Sequence, residues 1–317
     1  MLLRLWSALL LLIFLPCASA MDLPGIPQFI DDMVAKHQFR RDYLEQIFAQ
    51  AQYRPTVIES MSIPSSPKPW LEYRAGFVNI QRIGSGLQFW QRYAATLERA
   101  EQEYGVPQEV IVALIGIETT YGQNTGRYNT LSVLATLAFD YPRRADFFRR
   151  QLEQYLLLAR EQGWDPLVVQ GSYAGALGIP QFMPDSYRKY GVDFNNDGAI
   201  DLLHDPQDAI GSVAHYLQQY GWRTGEPIAT RAYVADESCS DCLNGVRSIE
   251  HWRAGGVRPE KDIAYDQAAR LINFTVSDGA EFWLAFYNFE VITRYNNSYF
   301  YAMAVFQLAD VLRAIKY

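Results

Sequence analysis

Long apolar stretches are scarce in this chain, and after residue 15 none is long enough to cross a bilayer as a helix. A transmembrane span is therefore not expected. Positive charge is also in deficit, with 28 Lys and Arg against 35 Asp and Glu, a net charge of -7 and a pI near 5.2. That balance argues against a nucleic-acid backbone binder, which carries a basic patch. No short repeat runs through the 317 residues, and aromatics reach 14%. Collagen-like, low-complexity and fully disordered architectures are thereby excluded. Half the chain is apolar (49%), enough for one large domain or two to three smaller ones with buried cores.

The start of the chain reads as an address. Arg4, the apolar run Leu5 to Leu15 and the small residues of Ala18-x-Ala20 form a secretory signal, with cleavage expected after Ala20. Cys17 follows Pro16, where a lipid-anchored chain wants a small residue, so a soluble exported protein is expected. Removing the leader leaves Cys239 and Cys242, an even pair in an oxidising compartment. C-S-D-C is expected to be a local disulfide stapling a loop. Half a zinc site is the alternative, but no second Cys or His pair follows at ligand spacing. A redox motif lacks the preceding strand.

Apolar residues at three- and four-residue spacing predict helix from Pro27 to about Tyr53, Gly86 to Tyr104, Tyr141 to Gln162, Asp208 to Tyr220 and Tyr299 to Ile315. The proline-rich Ile63 to Trp70 reads as a linker. Ile228 to Val234 and Leu271 to Val276 are β-branched and aromatic with partial alternation, which suggests strands. The chain should be α+β and predominantly helical. Its expected parts are a signal peptide (1–20), an N-terminal helical region (21–72), a core (73–225), a small β-containing insertion (226–280) and a C-terminal segment returning to the core (281–317).

One carboxylate stands out. In P-Q-E-V-I-V-A-L-I-G-I-E-T-T-Y-G, Val110, Ile111, Leu114 and Ile117 make an apolar helix, and Gly122 is a plausible end signal. Glu118 falls in the last turn. Apolar surroundings and the negative end of the helix dipole both disfavour its charged form. A raised pKa suits a general acid near neutral pH. Alone, such a residue could equally be a helix-end carboxylate facing water. Its company is the run Gly171 to Pro184, where glycine and alanine let backbone approach a ligand and Ser172, Tyr173 and Gln181 add polar contacts. The Gly-Lys-Ser/Thr ending of a phosphate loop is absent.

E-T-T-Y-G (118–122), P-R-R-A-D-F-F (142–148), G-S-Y-A-G-A-L-G-I-P-Q-F-M-P-x-S-Y (171–187), D-A-I-G-S-V-A-H-Y (208–216) and R-Y-N-N-S-x-x-Y-A-M-A-V (294–305) together resemble the B-type lytic murein transglycosylases. The resemblance covers nearly all of the mature chain. It implies a lysozyme-like core in the periplasm that cleaves the β-1,4 bond between N-acetylmuramic acid and N-acetylglucosamine in peptidoglycan. The muramyl 6-hydroxyl, not water, would close on C1 and leave a 1,6-anhydro end. Glu118 matches the family's single acid/base. Ser172 and Gln181 match sugar-binding positions, and Tyr73, Tyr216, Tyr295, Asn296 and Tyr301 match groove residues; aromatic faces stack on sugars while phenols supply hydrogen bonds. Ile179-Pro180 departs from relatives, where glycine or tyrosine is common. A hydrolase of the same bond and a silent wall-binding protein are the rival readings, and a monomer is expected.

D-F-N-N-D-G-A-I-D-L-L-H (193–204) has the spacing of an EF-hand loop: Asp193, Asn195 and Asp197 at positions one, three and five, Gly198 at six, the Ala199 carbonyl at seven and Asp201 at nine. Position twelve is His204, a poor ligand for a hard cation. The resemblance implies that a later carboxylate, matching Asp208, takes its place. A structural Ca²⁺ is expected, with no organic cofactor.

Overall fold

The computed structural model describes residues 23–62, 68–235 and 245–316. The expected leader, Cys239 and Cys242 lie outside the described residues. What is described is mostly helical with a five-stranded and a two-stranded antiparallel sheet, an α+β architecture as expected from the pattern.

The centre is α7 (Gln108–Thr119), in which every residue from Val110 to Ile117 is buried. A helix apolar all round must be wrapped by others. Around it pack α5 (Ile80–Arg92), α6 (Ala94–Tyr104), α11 (Pro206–Gln219) and α14 (Tyr299–Lys316). Beside this group, α8 (Thr130–Asp140) packs along the amphipathic α9 (Ala145–Gln162). The N-terminal helices α1 (Ile26–His37), α2 (Arg41–Gln50) and α3 (Pro55–Ser62) lean on α8 and its neighbours, α1 through Ile26, Phe29, Ile30 and Met33 on one face. A short helix α4 (Trp70–Phe77) follows.

Polar caps set several boundaries. The side chains of Asn79, Asn129 and Asp205 accept the backbone N–H groups of Arg82, Ser132 and Gln207, opening α5, α8 and α11. Two strand pieces, β1 (Tyr128–Asn129) and β2 (Gln170–Gly171), pair antiparallel next to the Gly171 to Pro184 loop.

The insertion is a five-stranded antiparallel sheet of β3 (Ala229–Val234), β4 (Val246–Ser248), β5 (Val257–Pro259), β6 (Ala268–Val276) and β7 (Gly279–Ala285), in the order β4-β6-β7-β3-β5. Its hairpin β6–β7 pairs Leu271 with Leu284 and Ile272 with Trp283. Alternation splits these residues between two faces. Leu271, Phe282 and Leu284 pack with Ile249 and Trp252 of α12 (Ile249–Ala254). Ile272 and Phe274 join the main core beside Trp70.

Four boundaries differ from expectation. The first helix is two, because Gln38 adopts a left-handed φ of 58° and closes α1. The helix expected from Gly86 starts earlier, at Ile80, and breaks at Tyr93. Pro142 to Arg144 form a 3-10 turn, so α9 begins at Ala145. The sheet runs to Ala285, past the boundary expected at 280, because Phe282, Leu284 and Ala285 fill strand positions before α13 (Tyr287–Tyr295) begins. Trp70 is no linker residue; it is buried at the head of α4.

Candidate active site

Glu118 sits one residue before the end of α7, half-buried. The three residues after Thr119 wind left-handed: Thr120, Tyr121 and Gly122 have φ of 51°, 62° and 86°. Such a turn stops the helix and returns its last N–H groups to Gly116 and Ile115. A β-branched residue at positive φ is strained, so the surroundings must hold it. They do. The Thr119 hydroxyl donates to the Ile179 carbonyl (2.8 Å) and accepts the Gly122 N–H (2.9 Å). The Tyr121 ring fills the gap left by Gly86 and Gly116, where a Cβ would lie within 2.3 and 2.4 Å of its hydroxyl oxygen.

Arg82 completes the clamp. Its Nε donates to the Gly116 carbonyl (2.9 Å), Nη1 to the carbonyls of Gly76 and Phe77 (2.6 and 3.2 Å), and Nη2 to the Thr120 hydroxyl (3.3 Å). A cation here satisfies the last carbonyls of α4 and opposes the negative end of the α7 dipole. Nothing in the local sequence marks this residue as a partner of the α7 terminus.

The Glu118 carboxyl is nevertheless pushed up to about 7, because burial penalises its charged form more than its one hydrogen bond favours it. That bond comes from the Tyr301 hydroxyl on α14 to Oε1. The Tyr295 ring stacks on Tyr301 with centroids 6.5 Å apart and planes 13° from parallel. Its hydroxyl donates to the Pro180 carbonyl. Burial, and then the nearby Glu118, hold both phenols well above their ordinary range, so they stay neutral donors. Tyr73 on α4 is half-buried and raised by the same two causes in the same order. Tyr216 stands behind: it is buried, 4.9 Å from Tyr295, and donates to the Arg294 carbonyl at 2.7 Å. Asn296 is exposed just past the end of α13.

The Gly171 to Pro184 loop forms the other wall. The Ser172 hydroxyl oxygen accepts the N–H groups of Ala174 and Ala176 (3.3 and 3.0 Å). Gln181 holds a positive φ of 52° and donates its side-chain amide to the Thr125 and Gly178 carbonyls (3.0 and 2.9 Å). The unusual Ile179-Pro180 pair serves through backbone carbonyls, to Thr119 and Tyr295, which any residue supplies.

A transglycosylase SLT domain model matches residues 23–310. The chain belongs to this family. It is 43% identical over 299 residues to the membrane-bound lytic murein transglycosylase B of Escherichia coli, covering 91% of this chain and 82% of that one. The soluble lytic transglycosylase SltB1 of Pseudomonas aeruginosa is 45% identical and superposes with a TM-score of 0.87, covering 92% of this chain and 99% of that chain. The Escherichia coli lytic transglycosylase Slt35 in complex with calcium is 43% identical with a TM-score of 0.87, covering 93% and 94%. The protein is thus a lytic murein transglycosylase, a glycan lyase of lysozyme-like fold.

In this transglycosylase the oxygen-rich loop 193–204 lies against the Gly171 to Pro184 loop. The Ile179 N–H donates to the Leu202 carbonyl (2.8 Å), and Gly178, at φ 67°, lets Leu202 approach where a Cβ would be 2.1 Å from its oxygen. Within 193–204, Asp193 accepts the N–H groups of Asp197 and Gly198, and Asp197 accepts that of Ala199. The Asn195 amide donates to Asp197 and to Asp205 (2.8 and 2.7 Å). Asp205 was not among the expected ligands, because its position as the cap of α11 conceals its second contact. Asp201 accepts from Leu203 and His204. Asp208 is buried behind the loop, accepting N–H groups from Phe194, Asn195 and Asp201, and burial pushes its carboxyl up. Among the described residues, no three His, Cys, Asp or Glu side chains converge closely enough to hold a metal ion. Among them too, no helix is long and apolar enough to cross a membrane.

Proposed function

We propose that Glu118 is the single acid/base of murein strand cleavage. Carrying this reading is a half-buried carboxyl, neutral up to about pH 7, aimed by a neutral phenol at the end of a clamped helix. As the acid, it protonates the bridging oxygen between the N-acetylmuramic and N-acetylglucosamine residues. As the resulting carboxylate, it takes the proton of the muramyl 6-hydroxyl while that oxygen closes on C1. The proton count balances with no water consumed. Two-carboxylate glycosidases place their second acid within about 10 Å. Among the described residues no second carboxylate bears on Glu118, whose neighbours are Tyr73, Tyr295 and Tyr301. That supports assistance by the substrate's own N-acetyl group, as in the family. Tyr73, Ser172, Gln181, Tyr295, Asn296 and Tyr301 would line the sugar groove, with Tyr216 holding Tyr295 in place. Mass analysis of digested sacculi is expected to give anhydro ends, one water lighter than reducing ends. Reducing ends would mean a hydrolase.

The donor chemistry of 193–208 suits a hard divalent cation, since every candidate side-chain donor is oxygen. The Asn195 amide now lies between the Asp197 and Asp205 carboxylates, supplying the positive pole that a cation would supply. With the Asn195 amide turned away and the carboxylates drawn inward, Asp193, Asn195, Asp197, Ala199 and Asp201 would hold Ca²⁺, with Asp205 as a carboxylate donor and Asp208 behind as a staple. Adding calcium to chelator-treated protein is expected to raise Tm by several degrees; no change would refute the site. Arg4, the apolar run Leu5 to Leu15 and Ala18-x-Ala20 support export to the periplasm with cleavage near Ala20.

A further inference from the structure

Two helices of the site end against one side chain. Arg82, half-buried on α5, gives Nη1 to the carbonyls of Gly76 and Phe77, where the Tyr73 helix α4 ends. It gives Nε to the Gly116 carbonyl in the last turn of the Glu118 helix α7. We propose that Arg82 is a positioning residue of murein cleavage: it fixes the end of α7, and with it the aim of the Glu118 carboxyl. The proposal rests on Glu118 being the acid.

Residue 82 engages both strained residues of the turn that follows Glu118. Its Nη2 donates to the Thr120 hydroxyl (3.3 Å), and its backbone carbonyl accepts the Tyr121 hydroxyl (3.1 Å). Thr120 and Tyr121 both hold a positive φ, a conformation that persists in such residues only where neighbours impose it. Glu118 lies between Gly116 and Thr120, so the grip spans it on either side. The hydrogen bond from Tyr301 fixes the carboxyl oxygen only while the backbone beneath it stays put. Arg82 is itself anchored. Its N–H donates to the Asn79 side chain at 2.9 Å, and its guanidinium lies 5.2 Å from the centroid of the Phe77 ring.

Geometry, more than charge, is what this residue supplies. The Glu118 carboxyl is shifted by burial and by the Tyr301 hydrogen bond, whereas the Arg82 N–H groups go to carbonyls and a hydroxyl. A guanidinium holds its N–H groups in one rigid plane, so its three nitrogens can set the spacing of two helices; an ammonium on a flexible stem cannot. Helix α4 has ties of its own: the buried Trp70 ring, and the Arg74 Nε donating to Gln307 on α14 (2.5 Å). The turn after Glu118 is strained, so it is the side that moves when the fork is lost.

The test is kinetic, with activity counted per folded molecule. Arg82→Lys keeps the charge and loses the fork. It is expected to lower kcat on murein strands about 10- to 100-fold, the loss that a misplacement of about 1 Å produces, with KM within about twofold of wild type. Tyr121→Phe keeps the ring between Gly86 and Gly116 and loses the hydroxyl bond to the Arg82 carbonyl. It should lower kcat about threefold, and it carries the test if the lysine variant does not fold. On a Glu118→Gln background neither change should slow the residual cleavage further, because a positioning residue acts through the group it positions. Wild-type kcat in Arg82→Lys, or in Tyr121→Phe where it stands in, would overturn the role. So would a loss confined to KM, or the full further loss on the Glu118→Gln background. The acid assignment is judged separately: Glu118→Gln alone, cleaving at the wild-type rate, would end that reading whatever Arg82 does.

Discussion

Glu118→Gln should cleave murein strands about 10²- to 10⁴-fold more slowly than the wild-type protein, since general acid–base catalysis contributes rate factors of this order. In the proposed mechanism both proton transfers pass through this one side chain, so the amide would lose the donor and the acceptor together. The pH dependence follows from the raised carboxyl at about 7. Wild-type activity should fall as pH rises through 7, where the acid form disappears. Stability moves the same way. A carboxyl whose folded pKa exceeds its unfolded value binds its proton more tightly when folded, so its favourable contribution is complete below about 4.5 and is lost as pH rises through about 7. Glutamine has no proton to lose. The variant's Tm relative to wild type should therefore climb between pH 5 and pH 8. Strand release at the wild-type rate would remove Glu118 from the chemistry.

Trp70→Ala is expected to cost about 3–5 kcal/mol, the range for deleting a large buried aromatic. Trp70 is 1% exposed, and its ring centroid lies 4.5 Å from Phe274 in the sheet, 5.3 Å from Phe300 on α14 and 6.3 Å from Tyr73. It thus joins the N-terminal helices, the insertion and the C-terminal helix at one point. Its indole nitrogen has no hydrogen-bond partner among the described residues. Trp70→Phe should accordingly cost much less, about 1 kcal/mol. Because Tyr73 leans on Trp70, the alanine variant should also bind strands more weakly while the phenylalanine variant should not. Denaturant titration and KM measured side by side check both; equal losses for Ala and Phe would contradict the packing argument.

The acid was legible because its helix is written in unbroken apolar residues that end at Glu118. The tyrosines were legible only through resemblance. One Tyr among 21 carries no local mark of whether it is half-buried near Glu118, as Tyr73 is, or buried behind Tyr295, as Tyr216 is. Arg82 left no trace, since it works on backbone carbonyls of Gly76, Phe77 and Gly116, and carbonyls have no letter in a sequence. Helix α8 was missed for the opposite reason: Thr130 to Ala138 are all buried, so no period of 3.6 shows. In the oxygen-rich loop the spacing of Asp193, Asn195 and Asp197 was plain. The inward turn of Asp208 and the outward reach of Asp205 depend on side-chain rotation, which spacing does not encode.

Ile179 is a splice between two machines. Its N–H grips the Leu202 carbonyl of the oxygen-rich loop, and its own C=O grips the Thr119 hydroxyl beside the acid. Any change that shifted this one stretch of backbone would loosen the Leu202 and Thr119 contacts together, since both hang on the same residue.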